Sequence, residues 1–153
     1  MTSLLERIDL LIEEREYQND RINAAYDKSS VRVGGFDNLV RENRSVDKHL
    51  DEMYINTIII SKLRSLKEKV EGLDREEAEA IITDNCQALR AMCTLYDAEV
   101  DGYDLQRKNF REQGLYDSTI RVVLNKNLVC AKYRYQLYHQ AETDFDTLID
   151  YMD

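Results

Sequence analysis

The sequence predicts an all-α fold, an elongated antiparallel helical bundle of about four helices, and three observations carry that prediction. Proline is absent and only 5 glycines occur in 153 residues, so almost nothing punctuates a long helix. Apolar residues recur at i, i+3, i+4 and i+7 along most of the chain, the spacing of a buried helical face. A hydrophobic share of 43% beside a charged share of 33% describes a chain that buries a core rather than a disordered one. The length fits a single domain spanning 1–153.

The first helix is expected over about 2–26, with Leu4, Leu5, Ile8, Leu11, Ile12, Ile22 and Ala25 facing inward and Glu13, Glu14, Arg15 and Glu16 on the solvated side. Asp27 to Phe36, DKSSVRVGGF, breaks the period with two serines, two valines and Gly34-Gly35, and reads as the one substantial loop. Asp37 is the expected N-cap of a second helix over about 37–71. Its seam is Val46, Leu50, Met53, Thr57 and Ile60, continued one step over by Leu63, Leu66, Val70 and Leu73. Ile58, Ile59 and Ile60 cover more than one face, which predicts several neighbours.

Gly72 ends that helix, and Asp74 with Glu77 has the spacing of a capping box, flanked by Leu73 and Ala78 as a hydrophobic staple. So tight a turn makes the second and third helices antiparallel neighbours. The third, over about 74–112, carries the most regular seam: Ile82, Cys86, Leu89, Cys93, Tyr96, Val100, Tyr103, Arg107 and Phe110. That 4-3 repeat predicts coiled-coil-like packing. Gly114 stops it, and Asp117 or Ser118 caps a last helix over about 117–152. This helix has one seam through Leu124, Leu128, Ala131, Tyr135, Tyr138, Glu142, Phe145, Ile149 and Met152, and another through Ile120, Val123, Asn127, Cys130, Leu137, Ala141 and Leu148. Two seams predict contact on two sides, either inside the bundle or with a second copy of the chain.

A formal charge of −9 argues against a general nucleic-acid binder, whose affinity comes from neutralising phosphates with Lys and Arg. The charge is uneven: Asp74 to Asp117 holds 11 acids against 5 bases, whereas Asp37 to Leu73 holds 7 of each. Within the acidic part, Asp97, Asp101 and Asp104 share one helical face and form a candidate surface for a protein partner with a basic groove. Ser118 to Ala141 contains none of the chain's 30 acids and holds Lys132, Arg134, Tyr135, Tyr138 and His139, a second candidate partner surface. No apolar run approaches the roughly 18 residues of a membrane span, and Met1 to Ile12 has no signal-peptide pattern. A cytoplasmic location and no membrane partner are the expectation.

Sites for chemistry are few. Cys86, Cys93 and Cys130 form no CxxC pair, and the first two, about 10 Å apart along one helix, are beyond disulfide reach; all three read as small core residues. His49 and His139 each precede a glutamate by three residues, Glu52 and Glu142, but carboxylate-bridged metal bundles place Glu before His and need more glutamates. No metal and no cofactor are therefore expected. Asp97 to Lys108 opens like a calcium loop, yet Lys108 stands where the bidentate Glu belongs, and the third helix's seam runs through it. With neither phosphate loop nor nucleophile elbow nor catalytic triad pattern, the chain is not expected to be an enzyme.

The order of an N-terminal helix, the loop SSVRVGG and the segment LDEMYINTIIISKLRSLKEKVEGLDREEAEAII resembles a family of small prophage proteins related to ArpU-type regulators, over Leu4 to Ile82. The resemblance implies phage origin. Members of that family carry a C-terminal helix-turn-helix opening with Trp, whereas this chain has no Trp and inserts the acidic third helix. The expected function is a non-enzymatic helical interaction module, a phage accessory or inhibitor protein docking on a protein partner through an acidic, Tyr-rich surface. A phage-type transcription regulator is the alternative, with Asn125 to Asn127 as the turn of a degenerate helix-turn-helix in 117–140.

Overall fold

A computed structural model describes the backbone of residues 3–32 and 43–152 and the side chains of 3–25 and 48–152. Four helices make up almost all of it: α1 (Leu4–Arg32), α2 (Asn43–Val70), α3 (Arg75–Glu112) and α4 (Ser118–Thr147), followed by a single 3-10 turn at Leu148–Tyr151. No strand occurs among the described residues.

Two boundaries differ from the expectation. The first helix continues to Arg32, through residues whose serines and β-branched side chain suggested a loop from Asp27. Such residues cost a helix only a few tenths of a kcal/mol each, so up to Gly34 nothing in the sequence is a strong breaker. Asp37 and the expected start of the second helix lie outside the described residues. At the other end α4 stops at Thr147 instead of 152, tightening into the 3-10 geometry common at helix ends.

The remaining signals act as read. Asp74 accepts from the Glu77 amide at 2.9 Å and Asp117 from the Ile120 amide at 2.8 Å, each satisfying a donor that the first turn of α3 or α4 leaves unpaired. Gly72 and Gly114 adopt left-handed φ values of 79° and 69°. At the end of α3 the Leu115 amide reaches the Phe110 carbonyl and the Gly114 amide the Arg111 carbonyl, a Schellman stop that only a residue tolerant of positive φ makes at low cost.

Cross-helix pairs define the topology. Asp9 meets Lys67 at 2.8 Å and Glu16 meets Arg64, so α1 and α2 run antiparallel. Arg90 meets Glu142 and Tyr96 meets Tyr138, so α3 and α4 do too. Asp51 with Arg134 and Glu52 with Tyr133 place α2 beside α4, and α3 against α4 is the most extensive pairing. One core gathers Ile8 and Leu11 of α1, Ile59, Leu63 and Leu66 of α2, Ile82 and Leu89 of α3, and Phe145 with Leu148, all under 2% exposed. On α3 the buried face is the expected seam from Ile82 to Cys93, but on α2 the expected seam holds only from Ile60 on: Leu50 and Thr57 are exposed, and Ile55, Asn56 and Ile59 are buried in their place, because α1 and α4 pack on that side. On α4, however, burial is two-sided only toward the C-terminus: Ala141 and Leu148 of the second seam are buried, but Val123 is 52% exposed. The reason is geometric, because α1 reaches α4 only near its end, through Arg15 to Asp144 and Arg7 stacked over Tyr151.

Arg15 is also a correction. Its sequence neighbours are acids and it reads as solvated, yet it is 5% exposed and bonds Asp144 at 2.6 Å. Its guanidinium crosses from α1 to α4 beside Ile55, Ile59 and Leu137 and the polar Gln18, Asn56 and Gln140. Removing one partner of such a pair strands a charge, whereas a shape-matched apolar side chain does not. Asp144→Ala is accordingly expected to cost about 3 kcal/mol in urea unfolding and Arg15→Met clearly less; equal losses would show that the charge is hydrated.

Candidate functional site

The residues of the acid-free stretch do not form one patch. Arg134 and Tyr138 lie on the inner side of α4 and half-buried Tyr135 packs against the core, whereas Lys132 and His139 lie on the outer side. Arg134 is half-buried, bonded to Asp51 at 2.8 Å, with its guanidinium over the Tyr96 ring. Tyr138 is buried and stacked on Tyr96 with ring centroids 5.7 Å apart. Both are bundle architecture rather than partner contacts, which corrects the expectation for them. The tie runs to α2, not to the acids of α3, because α2 lies against the same side of α4. Tyr133 next to them donates to Glu52 and lies under Lys48; burial, then the Glu52 bond and charge, push its phenol pKa up.

On the outer side Lys132 and His139 are exposed, and the His139 ring stacks parallel on half-buried Tyr135 at 5.8 Å. One helical turn on, Glu142 turns toward α3. Its Oε1 accepts from Arg90 Nε at 2.8 Å, while its Oε2 lies 3.9 Å from the Cys93 thiol. Donor atoms of Cys93, His139 and Glu142 all lie within 4.8 Å of one another. The pairing of His139 with Glu142 was legible in sequence as an i, i+3 spacing. The third member was not, because it belongs to another helix.

Burial first, then the negative charges of Asp146 and Glu142, push the Cys86 thiol up to about 11. The Cys93 thiol is raised for the same reasons, burial before Glu142. As the sequence predicts, both thiols are core groups, buried in the seam.

The acidic stripe is mostly free. Asp97 and Asp101 are exposed and enter no ion pair among the described residues, whereas Asp104 is half-buried and bonds Arg107 at 2.8 Å. The calcium-loop pattern at Asp97 to Lys108 is continuous helix, as its seam implied, and so is Asn125 to Asn127, where a helix-turn-helix needs a turn. The regulator alternative therefore lacks its turn.

Beside the acids the structure exposes a feature that the sequence reading missed. Ala88, Ala91, Leu95, Ala98, Gly102 and Leu105 follow each other at alternating spacings of three and four, and every one is exposed, on the side of α3 turned away from its buried seam. Leu95 is 52% and Leu105 58% exposed. Gly102 lies within the stripe without a positive φ, and a Cβ there would meet nothing within 4 Å. The fold of this chain gains nothing from that glycine, which costs a helix roughly 1 kcal/mol relative to Ala. Small residues hid the stripe, since a search for large apolar groups follows the Ile82 to Phe110 seam instead.

Comparison with protein-family models, with curated proteins and with solved structures found no match for this chain. No described helix is long and apolar enough to cross a membrane.

A raised thiol pKa predicts slow chemistry. A shift from 9.0 to about 11 leaves about a hundredfold less Cys86 thiolate at a pH well below 9, and burial slows access further. Mass-spectrometric mapping with a disulfide reagent is expected to find Cys130 modified first and Cys86 at least about a hundredfold more slowly than in the urea-unfolded chain. Equal rates in the two states would place Cys86 outside the seam.

Proposed function

We propose that this protein is a non-enzymatic interaction module that seats an amphipathic, basic helix of a protein partner along the outer face of α3. The observation that carries the reading is the exposed stripe from Ala88 to Leu105, a helix-spaced apolar face with no helix on it among the described residues. Exposed apolar groups scattered singly are ordinary, but a face ordered at coiled-coil spacing is the complement of another helix. Gly102, the last residue before Leu105 in the stripe, lets a partner backbone approach closely, which accounts for a residue the fold itself does not need.

Charge selects the kind of partner. Asp97 and Asp101 flank the stripe on one side and favour Lys or Arg on the incoming helix. A second copy fits less well: packed antiparallel in the register that matches the stripe to itself, with Leu95 opposite Ala98 and Ala91 opposite Gly102, it would set Asp97 opposite Tyr96 and Asp101 opposite Met92 and offer neither acid a basic partner. The resemblance of the N-terminal half to small prophage proteins supports a phage accessory or inhibitor as the setting. Exposed Lys132 and His139 and half-buried Tyr135 on α4 are a separate, secondary partner contact, while Arg134 and Tyr138 are not part of it.

Fluorescence anisotropy with two synthetic helical peptides, sharing one apolar seam but flanked by Lys or by Glu, tests the proposal. The Lys peptide is expected to bind, about tenfold or more tightly than the Glu peptide at low salt, with that preference shrinking as salt is added. Leu95→Asp with Leu105→Asp, both at exposed positions, should abolish binding and leave the helix content unchanged. Gly102→Ala is expected to raise stability by about 1 kcal/mol, and Gly102→Leu to obstruct the peptide without unfolding the chain. Equal binding of both peptides, or binding indifferent to the paired Leu variants, overturns the reading. A dimer in light scattering that the Leu variants dissolve assigns the face to a second copy instead.

A further inference from the structure

The geometry points to a zinc-type metal site formed by Cys93, His139 and Glu142, and we propose that this protein binds one thiolate-accepting divalent cation there, across the α3–α4 seam. Three features support it. The donor set of one sulfur, one imidazole nitrogen and one carboxylate oxygen is a zinc set, and a softer one than magnesium or calcium would choose. The atoms are already gathered, all within 4.8 Å of one another, with Cys93 Sγ 3.9 Å from Glu142 Oε2. Ligands of a tetrahedral zinc, at about 2.0 to 2.3 Å from the metal, lie about 3.5 Å apart, so the donors need to close by only about 1 Å, a shift of the size that side-chain rotation supplies.

The third feature is the support around the donors. Arg90 Nε holds Glu142 by Oε1, which leaves Oε2 as the oxygen directed at the thiol. The parallel stack on Tyr135 holds the plane of the exposed His139 ring. Partners of this kind orient metal ligands and strengthen binding without touching the ion. Cys93 and Glu142 come from different helices, so the ion would clamp α3 to α4, with its fourth position facing solvent on the side of His139. On binding, the cation takes the place of the thiol proton between Sγ and Oε2, and that proton leaves to solvent.

Cobalt(II) titrated into the full-length chain under a non-thiol reductant tests the assignment. Saturation at one equivalent is expected, with a thiolate-to-cobalt charge-transfer band and the visible bands of a tetrahedral site, both lost on adding zinc. Cys93→Ser should remove the charge-transfer band, Cys86→Ser should keep it, and Glu142→Gln or His139→Ala should weaken binding by at least about tenfold. His139 is exposed, so His139→Ala decides the matter even if the seam does not tolerate Cys93→Ser, with circular dichroism confirming the fold. No charge-transfer band in the unaltered chain, a band that survives Cys93→Ser, or binding unchanged in His139→Ala each overturns the proposal.

Discussion

The seam between α3 and α4 gathers Leu89, Cys93, Tyr96, Tyr138, Ala141 and Phe145 in one apolar layer, and by using one face of each helix it decides what the other faces have left. The 4-3 spacing on α3 turns one face toward α4, fully buried from Ile82 to Cys93, so the helix has little freedom to rotate about its axis. With Cys93 and Tyr96 committed inward, Leu95, Ala98 and Gly102 must face out and Arg90 must fall beside Glu142. The exposed stripe of α3 and the grouping of Cys93, His139 and Glu142 are thus two consequences of one packing choice.

Polar ties fix how the other two helices join this pair. Arg15 reaches Asp144, Asn56 donates to Asn19 at 3.0 Å, and Arg134 reaches Asp51. Ion pairs and amides drawn out of water add little net stability, because desolvation offsets most of the attraction. They do penalise misalignment: a shift of α1 by one turn would leave Arg15 buried without its carboxylate and Asn56, 4% exposed, without its amide partner. Apolar burial supplies the drive to collapse, and these few groups select which collapsed arrangement is kept.

Function, on this view, resides in what the bundle leaves unused. A helix that needs only one face for its own core is free to present the opposite one, and α3 presents small and apolar residues with acids alongside. Recognition by such a face combines area from the stripe with orientation and partner choice from Asp97 and Asp101. A metal bridging Cys93, His139 and Glu142 would stiffen the same pair of helices from the neighbouring side, so the two proposals address one structural unit through different chemistry.

Much of the architecture was legible from residues alone. Helix content, the capping aspartates Asp74 and Asp117, the stops at Gly72 and Gly114, and the buried seam of α3 all follow from local rules, since caps, turns and helical periods depend on residues within one or two turns of each other. Long-range neighbours were not legible. Nothing beside Arg15 in the sequence announces Asp144, and nothing near His139 announces Cys93. Nor does the basic, aromatic run of α4 announce that Arg134 and Tyr138 turn inward while Lys132 and His139 turn out. The sequence by itself determined the helices of the described residues and an apolar stripe on each, because those are periodic and local properties. Only the tertiary structure decided which stripes are covered and which polar groups meet across helices, because that depends on where a second helix lies, and no periodicity within the first contains it.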